Sequence, residues 1–166
     1  MRAGYIAVWL AGILIYFLIV ARITLFDLVV APIISMVAAL IVGGEVVKKP
    51  GKALSPKRWL YGLAYTLYYL LVVEPACHLR VASMVLGLRD YMPDIVEVPF
   101  DYRTDYAVAA TANSITNTPG TIVVDIDPEA KKYFVHWLEA YTRDPRIVRE
   151  KIIMVFDKWI KKIFED

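Results

Sequence analysis

Few side chains in this sequence are of types and spacings that could do chemistry, and Glu74 is the sharpest of them. It closes a long apolar run. A carboxylate there is costly in lipid and often belongs to an ion or proton path. Its plainer role is a charge at headgroup level, or a partner for His78 one helical turn on. Asp27, beside another apolar run, is a weaker case of the same kind. Cys77 and His78 stand next to each other, and the only other histidine is His136. No second pair completes the four ligands of a zinc site, so no metal site is expected. Ser114, His136 and Asp125 are the residue types of a hydrolytic triad, but no G-x-S-x-G elbow surrounds Ser114. Thr118-Pro119-Gly120-Thr121 could turn backbone amides toward an anion. No lysine follows at phosphate-loop spacing, and the run reads as a turn. No cofactor motif is present, and no catalytic residue is assigned.

The elements that carry these residues are set by a chain of 166 residues, 58% of them hydrophobic. The mean hydropathy is +0.51, which points to a membrane protein. Residues 1–88 hold eight Lys/Arg against three acids, and residues 89–166 hold eleven against fourteen. The apolar half is therefore basic. No basic stripe interleaved with aromatics suggests nucleic acid. A single cysteine excludes an internal disulfide. Glutamine is absent and asparagine occurs only at Asn113 and Asn117, a depletion of thermolabile amides seen in hyperthermophile proteins.

Residues 1–90 read as the membrane region. Residues 4–21 and 28–44 are uncharged and long enough to cross a bilayer. Joined by a short polar break that ends at Asp27, they make a hairpin. Pro32 is placed in the first turns of the second helix, and Gly43 and Gly44 at its end. Residues 45–58 form the most basic loop, with Lys48, Lys49, Lys52, Lys57 and Arg58, and so face the cytoplasm. Two prolines and a glycine argue against helix there. A third apolar helix spans 59–88 with a kink near Pro75. Its Trp59, Tyr61, Tyr65, Tyr68 and Tyr69 are typical of a membrane interface. It either crosses the bilayer or lies at the interface or against partner helices, and the side of the following domain depends on which.

Residues 91–166 read as a small α+β domain of order β-α-β-β-α. Alternation marks strands over 95–100 and 131–138, with Pro99 placing the first at a sheet edge, and the β-branched run after Pro119-Gly120 marks another over 120–126. Thr104 caps a helix through Ile115, and Asp144-Pro145 opens the last helix. That helix presents Val148, Ile152, Val155, Phe156, Trp159, Ile160 and Ile163 as its apolar face, and Arg149, Asp157, Lys158, Lys161 and Lys162 as its wet side.

The run NSITNTPGT, residues 113–121, joins the first soluble helix to the second strand. Together with YFVHWL, residues 133–138, it resembles the E subunit of multisubunit Mrp/Mnh-type Na+/H+ antiporters, whose runs are close to NSITLTPGT and YxVHWL. Asn113, Ser114, Thr116, Thr118, Pro119, Gly120, Thr121 and His136 are the matching motif positions, and Asn117 replaces the usual leucine. The resemblance implies a non-catalytic membrane subunit that supports assembly and ion translocation, without cofactors, among other antiporter-type subunits in the cell membrane. It favours a cytoplasmic C-terminal domain. E-like subunits also occur in archaeal membrane-bound hydrogenases and sulfane-sulfur reductases, so hydrogenase or reductase subunits are the alternative partners. Outside this resemblance, the competing classes are a membrane-anchored α+β binding module and a membrane enzyme with a nucleophile or metal that the sequence does not display.

Overall fold

The computed structural model describes residues 2–20, 22–47 and 50–165. Lys48 and Lys49 of the basic loop lie outside the described residues. The chain forms two compact units, Met1–Pro56 and Lys57–Asp166. By packing, the third apolar helix therefore groups with the α+β elements, whereas the sequence division at residue 90 separates them.

The first unit is an antiparallel pair, α1 (Arg2–Ile19) and α2 (Leu25–Val46), followed by one helical turn, α3 (Pro50–Ala53). That turn corrects the reading of the basic loop as wholly non-helical: Pro50 opens it, where a missing N–H is harmless. The second helix starts earlier than expected, because Thr24 and Asp27 form a capping box. Asp27 accepts from the Thr24 amide at 2.8 Å and from Tyr16 Oη at 2.7 Å. It is thus the third residue of α2 and not part of a loop. Pro32 consequently lies inside the helix, and its carbonyl accepts from Trp9 Nε1 at 2.9 Å. Gly43 and Gly44 do not end α2. A Cβ on Gly43 would stand 2.9 Å from Tyr5 Cα, and one on Gly12 would stand 2.9 Å from Ser35 Cβ. These glycines let two backbones approach, as small residues do between membrane helices. Ala7, Ala31, Ser35 and Ala39 are buried in the same seam, while Leu18, Leu25, Val29, Ile33 and Leu40 are exposed outside it.

The second unit opens with α4 (Pro56–Tyr68), a π-helical turn (Tyr69–Val73) and α5 (Glu74–Val85). Together they run without a break in helical residues, and a π-helical turn stands immediately before Pro75. Pro75 has no N–H for the carbonyl four residues back, and the Glu74 N–H reaches Tyr69 O across the widened turn. The inward residues Tyr65, Tyr69, Val73, Cys77 and Val81 recur every four positions. On an α-helix such a stripe drifts by about 40° per step. One wide turn absorbs most of that drift and keeps the stripe on the core.

The sheet consists of β1 (Asp94–Pro99), β2 (Thr121–Asp127) and β3 (Lys132–Trp137), in the order β1-β3-β2 and antiparallel throughout. Pro99 sits on an edge strand, as its missing donor requires. A register shift between Val123 and Asp125 interrupts β2. Helix α6 (Asp105–Asn117) is capped by Thr104, whose Oγ1 accepts from the Ala107 amide at 3.2 Å. The last helix divides into α7 (Pro145–Ile152) and α8 (Met154–Phe164). The break at Ile153 turns both Ile152 and Ile153 inward and leaves Val155 exposed, which corrects the single apolar face drawn through Val155. Nor is Asp157 on the wet side. It is paired with Arg149 at 3.3 Å and Lys161 at 3.1 Å, and both cations also reach Asp101. Val96, Val98, Tyr133 and Val135 meet Ile115, Val148, Ile153, Phe156 and Ile160 in the core, and Tyr69 and Val73 belong to the same cluster.

Candidate functional site

The motif corner and Glu74 come together. At the C-terminal end of α6, Thr118 Oγ1 donates to Ile115 O at 2.7 Å, and Thr121 Oγ1 donates to the same carbonyl at 2.7 Å. A helix end leaves carbonyls unpaired, and these hydroxyls satisfy one of them. Gly120 follows Pro119 with φ 95°, a conformation that glycine adopts freely. A Cβ there would lie 3.3 Å from Val81 Cγ2 of α5. Thr116 Oγ1 accepts from the Val123 amide at 3.1 Å and ties α6 to β2.

The other side of the corner engages the long helix. Tyr65 Oη and Ser114 Oγ are 2.5 Å apart. Tyr69 Oη lies 3.1 Å from Glu74 Oε1 and donates to it. Asn117 Nδ2 is 3.1 Å from both that carboxylate oxygen and the Tyr69 hydroxyl. His78 Nδ1 stands 3.0 Å from Glu74 Oε2. This is the i,i+4 pairing that the sequence suggests, with Glu74 16% exposed and His78 66% exposed. Beside the cluster runs an open groove of about 530 Å³, lined by Tyr65, Tyr69, Leu70, Asn113, Ser114 and Asn117 among others.

Glu74 is thus surrounded by donors: a phenol, a carboxamide and an imidazole. Donors fix a carboxylate in place but offer nothing to a hard cation, which takes oxygen acceptors. Among the described residues, no group of three or more His, Cys, Asp and Glu is placed to hold a metal. Ser114, His136 and Asp125 do not form a triad. Ser114 Oγ donates to Ala110 O at 2.8 Å. His136 pairs in register with Ile95 and Ile122 and points to the face of β3 opposite Tyr133 and Val135. Cys77 packs against the core.

A second clamp fixes the two ends of the long helix. Arg58 donates to Ile163 O at 2.6 Å and Glu165 O at 2.7 Å. Glu139 accepts from Arg80 and Arg89, each at 3.2 Å.

The family model described as MNHE, Na+/H+ ion antiporter subunit, matches residues 8–163. The chain belongs to this family. It is similar to the Na(+)/H(+) antiporter subunit E1 of Staphylococcus haemolyticus (strain JCSC1435), with 32% identity over 66 residues. That match spans 40% of this chain and 40% of the relative's length. Over nearly its whole length the chain is also similar to a chain from the structure of the membrane-bound sulfane sulfur reductase (MBS), an archaeal respiratory membrane complex. That similarity has a TM-score of 0.83 and 31% identity, covering 98% of this chain and 99% of the other.

Within this antiporter-family subunit the motif is a structural corner, and most of its polar atoms bind backbone or the long helix. Tyr65 and Tyr69 read from sequence as interface aromatics; they pack inward instead, and Tyr69 is buried. Asn117 reads as a mere departure from the motif, yet it reaches Glu74. The four-residue recurrence from Tyr65 to Val81 is the signal that could have found the inward face.

Proposed function

We propose that this chain is a non-catalytic subunit of a multisubunit monovalent cation/proton antiporter of the cell membrane, where it braces neighbouring membrane subunits. The observation that carries this reading is the use made of the motif. Ser114 and Asn117 bind the long helix and Gly120 packs against it, while Thr118 and Thr121 close the end of α6 at the start of β2. Such a corner makes a rigid bracket and leaves no free nucleophile. Residues 1–90 form the membrane region, whose hairpin passes the bilayer twice, and residues 91–166 form the soluble domain. By length and composition alone, Leu25–Glu45 and Pro56–Val85 suffice to cross a membrane, whereas Ala3–Ile19 is apolar but shorter. The domain is cytoplasmic. Lysines and arginines of the basic loop select that side, and Arg58 at the end of the loop holds the last carbonyls of α8.

The test is to replace Gly120 with valine in the parent organism and to measure both the amount of assembled complex and cation/proton exchange per complex. The reading expects less complex with unchanged turnover in what remains. A full complement of complex with turnover selectively lost would contradict it. The likeness to a chain of a respiratory reductase complex favours a second setting, in which the same bracket joins an antiporter-like module to redox subunits. Co-isolation of reductase or hydrogenase subunits with this chain distinguishes that setting from a free antiporter.

A further inference from the structure

Strand β2 is one edge of the sheet, and its outer side has an uneven balance of donors and acceptors. Phe100 N donates to Lys131 O, and Leu138 N donates to Gly120 O. Peptide groups alternate in direction along a strand. Lys131, Tyr133, Val135 and Trp137 therefore face β1, and the residues between them face β2. Opposite Trp137, Val135 and Tyr133 in β2 stand Thr121, Val123 and Ile126. These three consequently turn their peptide groups to the outer edge. Each of their amides already has an acceptor from this chain. Thr121 N donates to Thr118 O at 3.3 Å, Val123 N to Thr116 Oγ1 at 3.1 Å, and Ile126 N to Asp125 Oδ1 at 2.8 Å. The Val123 and Ile126 carbonyls point the same way, away from β3. The edge is thus one of acceptors. An added strand needs donors as well, so capping the amides protects this edge from strand pairing.

Between this edge and α6 lies an open groove of about 320 Å³. Ala112 and Val124 give it apolar walls, and Asn113 lines both this groove and the one beside Tyr65. Asp125 lines it too and is exposed. The carboxylates of β1 are matched within the chain, Asp94 by Arg143 and Glu97 by Lys132. Asp125 forms no ion pair among the described residues. A groove of acceptors with one unmatched carboxylate complements a group that carries positive charge and donors alone. Arginine is such a group: its guanidinium has N–H donors and no acceptor, and its apolar stem suits these walls. A hard cation is a poorer match, because it takes a cage of oxygens. Among the described residues no group of three or more His, Cys, Asp and Glu is placed to hold one.

We propose that this groove receives an arginine side chain of a neighbouring subunit, whose guanidinium donates to Asp125 and to the outward carbonyls of β2. The proposal rests on the reading of this chain as a subunit of a membrane complex, and adds a docking surface and the chemistry of the partner.

Photo-crosslinking in the assembled complex tests it. p-Benzoylphenylalanine is placed at Asn113, whose side chain makes no hydrogen bond to a described residue, and crosslinked peptides are read by mass spectrometry. The expected product joins position 113 to an arginine-containing peptide of another subunit. A second arm changes the charge. Asp125→Asn keeps an oxygen for the Ile126 amide and removes the charge, so this chain should leave the complex at lower salt than the wild type does. Asp125→Arg should leave at lower salt still, and replacing the crosslinked arginine by glutamate should restore its retention. A crosslink confined to this chain, a crosslinked peptide without arginine, or wild-type salt resistance of Asp125→Arg in a complete complex would overturn the groove assignment and leave the subunit reading standing. If the wild-type chain co-isolates with no other subunit, the subunit reading falls and the assignment falls with it.

Discussion

Substitution of Gly120 isolates the role of the corner. Its φ of 95° lies in the left-handed region, where a side chain costs about 1–2 kcal/mol. Gly120→Ala carries that cost and brings a Cβ to 3.3 Å from Val81 Cγ2, a contact that a small shift of the valine relieves. A loss of this size lowers the folded-to-unfolded ratio roughly five- to thirty-fold. Gly120→Val adds β-branching at positive φ, a true backbone outlier, and drives a methyl into Val81, for about 1–3 kcal/mol more. Thermal melting of the full chain in detergent, followed by tryptophan fluorescence, reads both effects. A double-mutant cycle with Val81→Ala separates them. The truncation should recover the part of valine's excess loss that comes from the methyl driven into Val81, and none of the backbone cost at positive φ. If Gly120→Val melts like the wild type, or if Val81→Ala restores the whole loss, the corner is not strained as the backbone indicates.

Asn117→Leu, which restores the residue usual in the resembled motif, should lower the melting temperature by removing the donor to Glu74 and Tyr69, and Glu74→Gln should narrow the gap between wild type and variant. Arg58→Ala leaves the last carbonyls of α8 without their donor, so limited proteolysis should cut the C-terminal turn first. Acid should weaken the Lys57–Asp166 unit. The Arg143 guanidinium holds the Asp94 carboxyl below its usual range. Asp101 is also low: partial burial pushes it up, but Lys161 and Arg149 outweigh that. A depressed carboxylate stabilises the fold above its unfolded pKa of about 3.9 and loses that contribution as pH falls through the lower folded value. Melting measured between pH 5 and 2, chosen as about the window of this loss, should fall less steeply in Asp94→Asn and Asp101→Asn than in the wild type.

Local signals in the sequence carry over well into the structure. Thr104 and Asp144 cap helices because their side chains answer to nearby amides, and the Glu74–His78 spacing finds its pair because one helical turn fixes it. The first and third strands follow from alternation, and the second from its β-branched run after Pro119-Gly120. Features that depend on distant partners are not legible. Gly43 and Gly44 look like helix terminators until Tyr5 is seen against them. Asp27 looks like a loop charge because the capping box needs Thr24 in an extended conformation. Ile153 breaks the last helix because core packing outweighs a continuous period. Asn117 gains its role only when α6 is laid beside the π-helical turn, and no spacing within either segment announces it. The outward leucines and inward tyrosines of the long helix read as one apolar span, since hydropathy averages over the two faces.

The central claim is that the chain works as a bracket within a membrane assembly. Its most direct test is gentle detergent extraction of the tagged chain from its native membrane, followed by native mass measurement. The account predicts a stoichiometric complex with other antiporter-type membrane subunits, depleted by Gly120→Val. A stable, partner-free monomer from wild-type membranes would contradict it.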